Sequence, residues 1–477
     1  MSSEAQVWER HKPPRWFKPV AGWALLIAVL MWWPKQVSDP GSAEAALVQR
    51  GIEAQVRMTE GAPIIIGSTE GAPEPSAEEA DAHRNALGMY ADLAEEVALG
   101  EGLTSGYREQ AAAIVLILGD READVIEQLL PNPTERSDFG HWLALAAKKE
   151  GLDAESVLVL RDAEISPWLR SRLRAWSLGP DKALDPDGMH ARTELPWLTR
   201  ASTILVFYLT LGLIGSILII LWYVRRRDRV EEPPSPSPWE PPLWAGTGAA
   251  MAWFCVYFTG QFVVGSLLAM LDAGQTVFAA SIVASQVGAG VFALYLLGQF
   301  NRAPMHRSIL GALTTLQLGV EPLDGSIMRA LSWGIGGFAA AIPLMVTAVI
   351  VQTYLPFQPE VISNPVIPEI VNPESGLAQA LLMAAVILGA SFFEEIVFRG
   401  ALYRALRTRL GAKPSIAISA AIFAAVHPET STLIPLFFLG CLLAVLAERT
   451  KGLLVPMMVH GFWNGGQILI AVTIYGG

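Results

Sequence analysis

Charged side chains are scarce in this chain. They make up 17% of its 477 residues, whereas soluble domains carry about 25%. Hydrophobic residues make up 52% of the chain. A shortage of charge beside so many apolar residues is typical of proteins with several membrane-spanning helices, so the composition predicts a polytopic protein in a lipid bilayer.

Cysteine is almost absent. The two cysteines, Cys255 and Cys441, lie in separate apolar runs. The acidic segment, residues 35–197, therefore has no disulfide, and a CxxC metal site is excluded in the whole sequence. The sequence also lacks the GxSxG and HExxH motifs, which argues against serine-hydrolase and zincin mechanisms.

The charge is unevenly distributed. The formal net charge is −11, but residues 35–197 hold 15 basic and 29 acidic residues, and the remainder has a small basic excess. The chain thus joins an acidic soluble segment to a slightly basic membrane part. No feature of this distribution favours a nucleic-acid partner.

Residues 1–34 form the first predicted region, a basic N-terminus and a first transmembrane anchor. The apolar run from Val20 to Trp33 has tryptophan near both ends, which favours an uncleaved anchor. A cleaved signal peptide with a site such as Ala43–Ala45 is the alternative. The basic N-terminus is expected on the cytoplasmic side, where Lys and Arg are in excess.

Residues 35–197 form the second predicted region. Short segments with Ala and Leu on one face predict a small all-helical domain, with Pro167 among the residues expected to separate its helices. We expect helices at Glu78–Leu99, Gly106–Leu118, Arg121–Leu130, Phe139–Glu150 and Ala154–Ala163. No clear repeat predicts a solenoid. The region offers no metal-ligand or nucleophile cluster, so we expect it to pack or to bind a protein partner.

A full-length apolar run at residues 198–224 predicts the second transmembrane helix. The basic cluster Arg225–Arg229 marks its cytoplasmic end, so residues 35–197 are expected outside the cytoplasm. Residues 225–242 then form a basic and proline-rich cytoplasmic linker, which is expected to be extended. Both ends of the outer segment give the same orientation.

Residues 243–477 contain six or seven more apolar runs. They are roughly Leu243–Leu271, Val277–Phe300, Ala330–Val351, Leu377–Phe393, Pro414–His427, Leu433–Leu446 and Leu453–Tyr475. Simple alternation gives about nine spans in total, although Pro414–His427 and Leu433–Leu446 are short enough to favour tilted or partly re-entrant helices. The predicted fold is all-α: a polytopic transmembrane helical bundle with an inserted extracytoplasmic helical domain.

Two adjacent carboxylates, Glu394 and Glu395, end the run that starts near Leu377. Ionised groups in hydrocarbon are rare unless they are paired or functional. Glu395 lies four residues before Arg399, the order that favours an ion pair on a helix. Neighbours on a helix face different ways, so Glu394 lacks this partner and is predicted to point into a site. The alternative is that both carboxylates only mark the membrane interface.

Two histidine motifs follow. His427 ends the segment FAAVH, and its alternative role is that of a solvated loop residue. His460 and Asn464 share a helix face, and their alternative is an ordinary interhelical hydrogen bond. A rise of about 1.5 Å per residue puts Glu394 near the cytoplasmic face and His427 deeper. Their meeting therefore requires a tilted helix, or one that begins before Pro414.

These side chains suffice for peptide hydrolysis. A carboxylate can act as general base on a water that an imidazole orients. A second imidazole and an amide can donate to the oxyanion of a tetrahedral intermediate. Zinc bound by Glu394, His427 and His460 is the alternative that these ligand types leave open. No cofactor is favoured, and zinc is not excluded.

The ordered trio EExxxR (Glu394 to Arg399), FxxxH (Phe423 to His427) and HxxxN (His460 to Asn464) resembles the motifs of the CPBP family. These intramembrane endopeptidases are related to the type II CAAX prenyl protease and to the bacteriocin-processing or immunity (Abi) proteins. The resemblance implies a helical core with a membrane-embedded cavity. The family was long regarded as metal-dependent, and a glutamate-based, metal-free mechanism is the interpretation that we prefer. It implies that Glu394 is the general base and His427 its partner, that His460 and Asn464 stabilise the oxyanion, and that Glu395 and Arg399 are supporting residues.

The leading functional hypothesis is an intramembrane protease that cleaves a membrane protein or a lipidated peptide. The alternatives are a non-catalytic scaffold or immunity-type protein that binds a partner through its outer domain, and a transporter that uses the same intramembrane Glu and His. The Ala-rich outer domain mildly favours a bacterial inner-membrane protein, in which prenylated substrates would be absent. The substrate itself is beyond the sequence.

Overall fold

The fold is all-α, as predicted, throughout the part of the chain that a computed structural model describes. Fifteen helices and one short 3-10 helix make up its regular structure. The described residues are 17–32, parts of 89–99, 105–118, 122–148, 189–226, 243–271, 274–299, 325–354, 432–475 and, with single gaps, 159–177 and 366–427. The signal-peptide site Ala43–Ala45 and the linker from residue 227 to 242 lie outside these residues.

The helices are numbered in chain order. They are α1 Phe17–Trp32, α2 Ser105–Leu118, α3 Ala123–Leu129, α4 Asp138–Ala147, α5 Val159–Asp162, α6 Pro167–Ser177, α7 Met189–Arg226, α8 Leu243–Met270, α9 Gln275–Gln299, α10 Ile327–Thr353, α11 Val366–Val371, α12 Gly376–Leu410, α13 Ala412–Ala425, α14 Leu433–Thr450 and α15 Leu454–Tyr475.

The chain divides into two compact units. One unit contains α1 and the described residues from Val206 to Leu469. The other contains the described residues that lie between α1 and Leu205, together with those from Ile470 onward. The predicted region boundaries remain predictions, and each unit is described separately below.

The second unit has its own apolar core. Helix α2 carries an unbroken buried run from Ala111 to Leu118, which α3, α4 and α6 cover. The buried carboxylate of Glu109 accepts hydrogen bonds from the backbone N and the Oγ of Ser137, at 2.8 and 2.5 Å. The same hydroxyl caps α4 by accepting from Gly140 N at 3.2 Å. These bonds attach the start of α4 to α2.

Pro167 was expected to separate helices, and it does so by beginning α6 after α5 has ended at Asp162. Proline is well tolerated at the first position of a helix because its missing N–H would have had no helical partner there. The segments expected at Gly106–Leu118, Arg121–Leu130 and Phe139–Glu150 appear as α2, α3 and α4. Those expected at Glu78–Leu99 and Ala154–Ala163 lie partly outside the described residues.

Six described helices are long and apolar enough to cross a membrane. They are Thr199–Val224, Leu243–Leu268, Gln275–Gly298, Ile327–Gln352, Gly376–Leu410 and Leu433–Thr450. Helix α1 has 16 residues, and α13 is a shorter apolar helix. The protein is therefore a multi-pass membrane protein, and the number of nine spans remains a prediction.

Helix α12 is not a regular α-helix throughout. Residues Ala385–Ala390 and Ile396–Tyr403 are π-helical, and the short α-helical segment Ser391–Glu395 lies between them. A π-helical turn shifts the backbone hydrogen bonds by one residue and is often found at functional sites. The two glutamates therefore lie where the helix changes its winding.

Two glycines allow α9 to approach α12 closely. A Cβ atom on Gly290 would lie 1.9 Å from the ring of Phe393, and one on Gly389 would lie 2.2 Å from Oε1 of Gln286. Any larger residue at either position would displace the facing side chain. The close approach fixes the first π-helical segment and Phe393, the residue before Glu394, against α9.

Candidate active site

A buried ion pair is at the centre of the site. Nη1 of Arg399 donates to Oε1 of Glu395 at 2.8 Å, and both side chains are almost completely buried. Nη2 of Arg399 donates to the carbonyl oxygen of Gly440 on α14 at 3.2 Å, and its guanidinium carbon lies 4.5 Å from the ring centroid of Phe423 on α13. The expected pair is thus present, and it joins three helices.

His460 contacts this pair from α15. Its Nδ1 lies 2.9 Å from Oε1 of Glu395, and the side chain is buried. An ionised carboxylate only accepts hydrogen bonds, so Nδ1 carries a proton and donates it. The opposite ring nitrogen, Nε2, is the one left to face a water or a substrate.

His427 is held in the same way. Its Nδ1 lies 2.8 Å from the carbonyl oxygen of Phe423, and a carbonyl oxygen likewise only accepts. Nε2 of His427 is therefore also the nitrogen left for a ligand. Helix α13 begins at Ala412, before Pro414, which is one of the two conditions stated above for His427 to reach Glu394.

The ring of Phe423 brings the histidines together. It is fully buried, and its centroid lies 5.0 Å from that of His427, 5.9 Å from that of His460 and 5.1 Å from that of Phe398. Sequence reasoning used Phe423 only as the start of a motif. The spacing of four residues between Phe423 and His427 could have predicted their contact, because residues so spaced share a helix face.

Asn464 bonds to the π-helical backbone of α12. Its Nδ2 donates to the carbonyl oxygen of Val386 at 2.8 Å. The altered hydrogen bonding of a π-helical segment allows a side-chain donor to reach such a carbonyl. One N–H of this amide therefore holds α15 against α12, and the second N–H is left for another acceptor.

Glu394 differs from its neighbour in having no ion pair among the described residues, whereas Oε1 of Glu395 contacts Arg399 and His460. Glu394 is half-buried, and its Oε2 atom, like that of Glu395, is buried without a hydrogen-bond donor among the described residues. A buried acceptor without a donor costs about 1–3 kcal/mol, and more when it is charged. A water or a substrate that supplied a donor would remove this cost.

Sequence reasoning missed two polar residues near Glu394. Gln286 on α9 is buried, and its Oε1 atom also lacks a donor among the described residues. Tyr257 on α8 stacks on Trp253 with the ring centroids 5.3 Å apart, and it is close enough to both Glu394 and Gln286 to interact with them. Gln286 and Tyr257 are each a polar residue within an apolar run, and this feature of the sequence could have indicated a functional role.

The metal alternative requires three ligands at one point. Within the described residues, no three His, Cys, Asp or Glu side chains are grouped so that they could hold a metal ion. The Nδ1 atoms of His427 and His460 face oxygen acceptors, an arrangement that metal-ligating histidines also have. The described side chains thus form no three-ligand group, and no step below depends on a metal.

These observations define a multi-pass helical membrane protein whose last four helices converge on a buried polar site. Residues 376–466 match the family model of the Type II CAAX prenyl endopeptidase Rce1-like proteins. The matched stretch contains all seven residues of the three motifs, so the resemblance is confirmed for this part of the chain and supports a protease. No curated protein and no solved structure matches the chain.

Proposed function

We propose that this protein is an intramembrane endopeptidase that cleaves a membrane-embedded or lipidated substrate with a water activated by Glu394. The observation that carries the proposal is the buried, unpartnered Oε2 atom of Glu394 on the helix that contacts both histidine motifs. His427 and His460 each present Nε2 from a fixed ring. The matched protease family supports the same reaction class.

In the proposed reaction each residue has a role. Glu394 accepts a proton from the attacking water, which Nε2 of His427 orients, and later gives the proton to the leaving amine. The oxyanion accepts the second N–H of Asn464 and, when the ring carries both protons, Nε2–H of His460. Glu395, which contacts Nδ1 of His460, is the counter-ion for the doubly protonated ring. Arg399 forms an ion pair with the same carboxylate. The last two residues are therefore positioning residues.

The proposed orientation has the N-terminus in the cytoplasm and residues 35–197 outside it, as in a bacterial inner-membrane protein. Exposed basic residues lie where α12 ends, α13 begins and α14 ends: Arg409, Lys413, Arg449 and Lys451. The guanidinium carbon of Arg449 lies 5.5 Å from the ring centroid of Trp222, near the basic end of α7. Basic residues at these helix ends support a common cytoplasmic side.

The decisive experiment compares membranes that contain the wild type with membranes that contain Glu394→Gln. New protein N-termini are quantified by mass spectrometry, and those that depend on Glu394 name the substrate and the bond. The substitution keeps the size of the side chain and removes its basic carboxylate. Glu135→Gln, at an exposed position in the other unit, is the matched control and should leave every terminus unchanged.

One set of observations favours a second candidate, a non-catalytic scaffold. Arg399, His460 and Asn464 all make bonds between helices, which is what a purely structural set would do. A scaffold would yield no Glu394-dependent termini, while a cellular phenotype would survive Glu394→Gln. In this case residues 35–197 would bind the protein partner.

A further inference from the structure

Three buried side-chain oxygen atoms on α9 and α12 lack a hydrogen-bond donor among the described residues. Two belong to carboxylates on α12: Oε2 of Glu394, for which the proposed reaction supplies a water, and Oε2 of Glu395, whose other oxygen contacts Arg399 and His460. The third is Oε1 of Gln286, whose side chain is only 7% exposed. The reaction described above gives Gln286 no task. Burying an amide oxygen without a donor is unfavourable, so its presence here requires an explanation.

The backbone of α12 provides the space for this oxygen. Oε1 of Gln286 faces Gly389, where a Cβ atom would lie only 2.2 Å away. One turn further along both helices, Gly290 and Phe393 are in close contact. Glu394 follows Phe393 directly, so the oxygen of Gln286 lies along α12 within about two turns of the proposed general base.

Tyr257 does not satisfy this oxygen. Its hydroxyl forms a side-chain hydrogen bond with the amide of Gln286, yet Oε1 of that amide has no donor among the described residues. The bond is therefore made by the amide nitrogen, which donates to the phenol oxygen. Oε1 of Gln286 is then left for a donor that comes from outside the protein.

We propose that Gln286 is a substrate-binding residue whose Oε1 accepts a main-chain N–H of an extended substrate segment beside the scissile bond. A peptide inside a membrane must be unwound to expose a bond to water, and its freed N–H groups need acceptors that the bilayer does not offer. An amide oxygen satisfies such an N–H without regard to the substrate side chain. This inference rests on the proposed function and extends it.

The test uses Gln286→Met in the full-length protein. Methionine has nearly the same length and volume but no oxygen. Termini that depend on Glu394 are first defined by comparing the wild type with Glu394→Gln in the same membranes. In Gln286→Met these termini should fall about tenfold or more, because the lost bond is made to the substrate. The midpoint of thermal unfolding in detergent should fall no further than in Tyr257→Phe, because both variants lose the bond between Tyr257 and Gln286 and no bond to Oε1 is lost within the protein.

Two further variants sharpen the result. Gln286→Leu also removes the oxygen and should behave like Gln286→Met, whereas Gln467→Met, at an exposed position on α15, should change neither quantity. Unchanged termini in Gln286→Met and Gln286→Leu would overturn the inference and leave the protease intact. A midpoint lower than that of Tyr257→Phe, or failure of both variants to fold, would show that Oε1 of Gln286 bonds within the protein and would overturn it too. If the wild type has no Glu394-dependent termini, the proposed function fails with it.

Discussion

Removing Arg399 should destabilise the membrane unit strongly. The side chain is 1% exposed and Glu395 is fully buried, so Arg399→Met leaves a carboxylate in the bundle without its counter-ion. Methionine retains much of the packing volume against Phe423 but loses the bonds to Glu395 and to the carbonyl of Gly440. The perturbation is therefore mainly electrostatic.

The expected magnitude follows from the burial of both partners. Breaking a buried ion pair by deleting one member costs about 3–5 kcal/mol, which should lower the midpoint of thermal unfolding by on the order of 10 °C. The double variant Glu395→Gln with Arg399→Met carries no buried charge at these positions. Because glutamine still offers an acceptor to His460, we expect the double variant to recover most of the loss.

The assay is the intrinsic fluorescence of the 15 tryptophans during thermal unfolding in detergent. Arg409→Met, at an exposed position on the same helix, is the control and should change the free energy of unfolding by at most about 0.5 kcal/mol. A shift in Arg399→Met as small as that of the control would refute the reasoning. A double variant no more stable than the single one would refute it equally.

Three further predictions concern individual contacts. Gly389→Ala should displace Gln286 and lower the yield of Glu394-dependent termini several-fold. Gly465→Ala is the control and should leave the yield unchanged, because the added Cβ would meet Ile387 at 3.7 Å. Equal yields in the two variants would contradict the close contact between Gly389 and Gln286. Tyr257→Phe should also lower that yield, because Glu394 loses a nearby hydroxyl. Tyr295→Phe, at an exposed position on α9, is its control. An unchanged yield of termini in Tyr257→Phe would show that Tyr257 is not part of the site. Ser137→Ala should destabilise the other unit by about 1–2 kcal/mol, because the cap of α4 and a bond to buried Glu109 are lost. The measurement is the resistance of residues 105–177 to proteolysis, and an unchanged resistance would contradict the prediction.

The sequence was sufficient for much of the fold. Apolar runs of spanning length predicted the helices α7 to α10 and the first part of α12, because the length and composition of a membrane helix are fixed by the bilayer. The run Leu433–Leu446 was expected to be short, but α14 continues to Thr450 and is long enough to cross a membrane. Two features of α12 were not predictable in this way. Its π-helical segments depend on bonds from other helices, such as that from Asn464 to Val386, which lie far apart in the sequence.

The candidate site was predicted unevenly for a similar reason. The pair of Glu395 and Arg399 follows from helical spacing alone, and the structure contains it. The contact between His460 and Glu395 joins residues 65 positions apart, so spacing could not reveal it. Gln286 and Tyr257 lie on helices before the three motifs, and only packing brings them near Glu394.

The most direct measurement of the central claim is the yield of new protein N-termini in membranes that contain the wild type or Glu394→Gln at equal amounts and equal thermal stability. Loss of a positioned general base typically slows a reaction by about 10²–10⁴-fold. We expect the wild-type termini to disappear from Glu394→Gln at matched times and to persist in Glu135→Gln. The same termini at the same yield in Glu394→Gln would contradict the account.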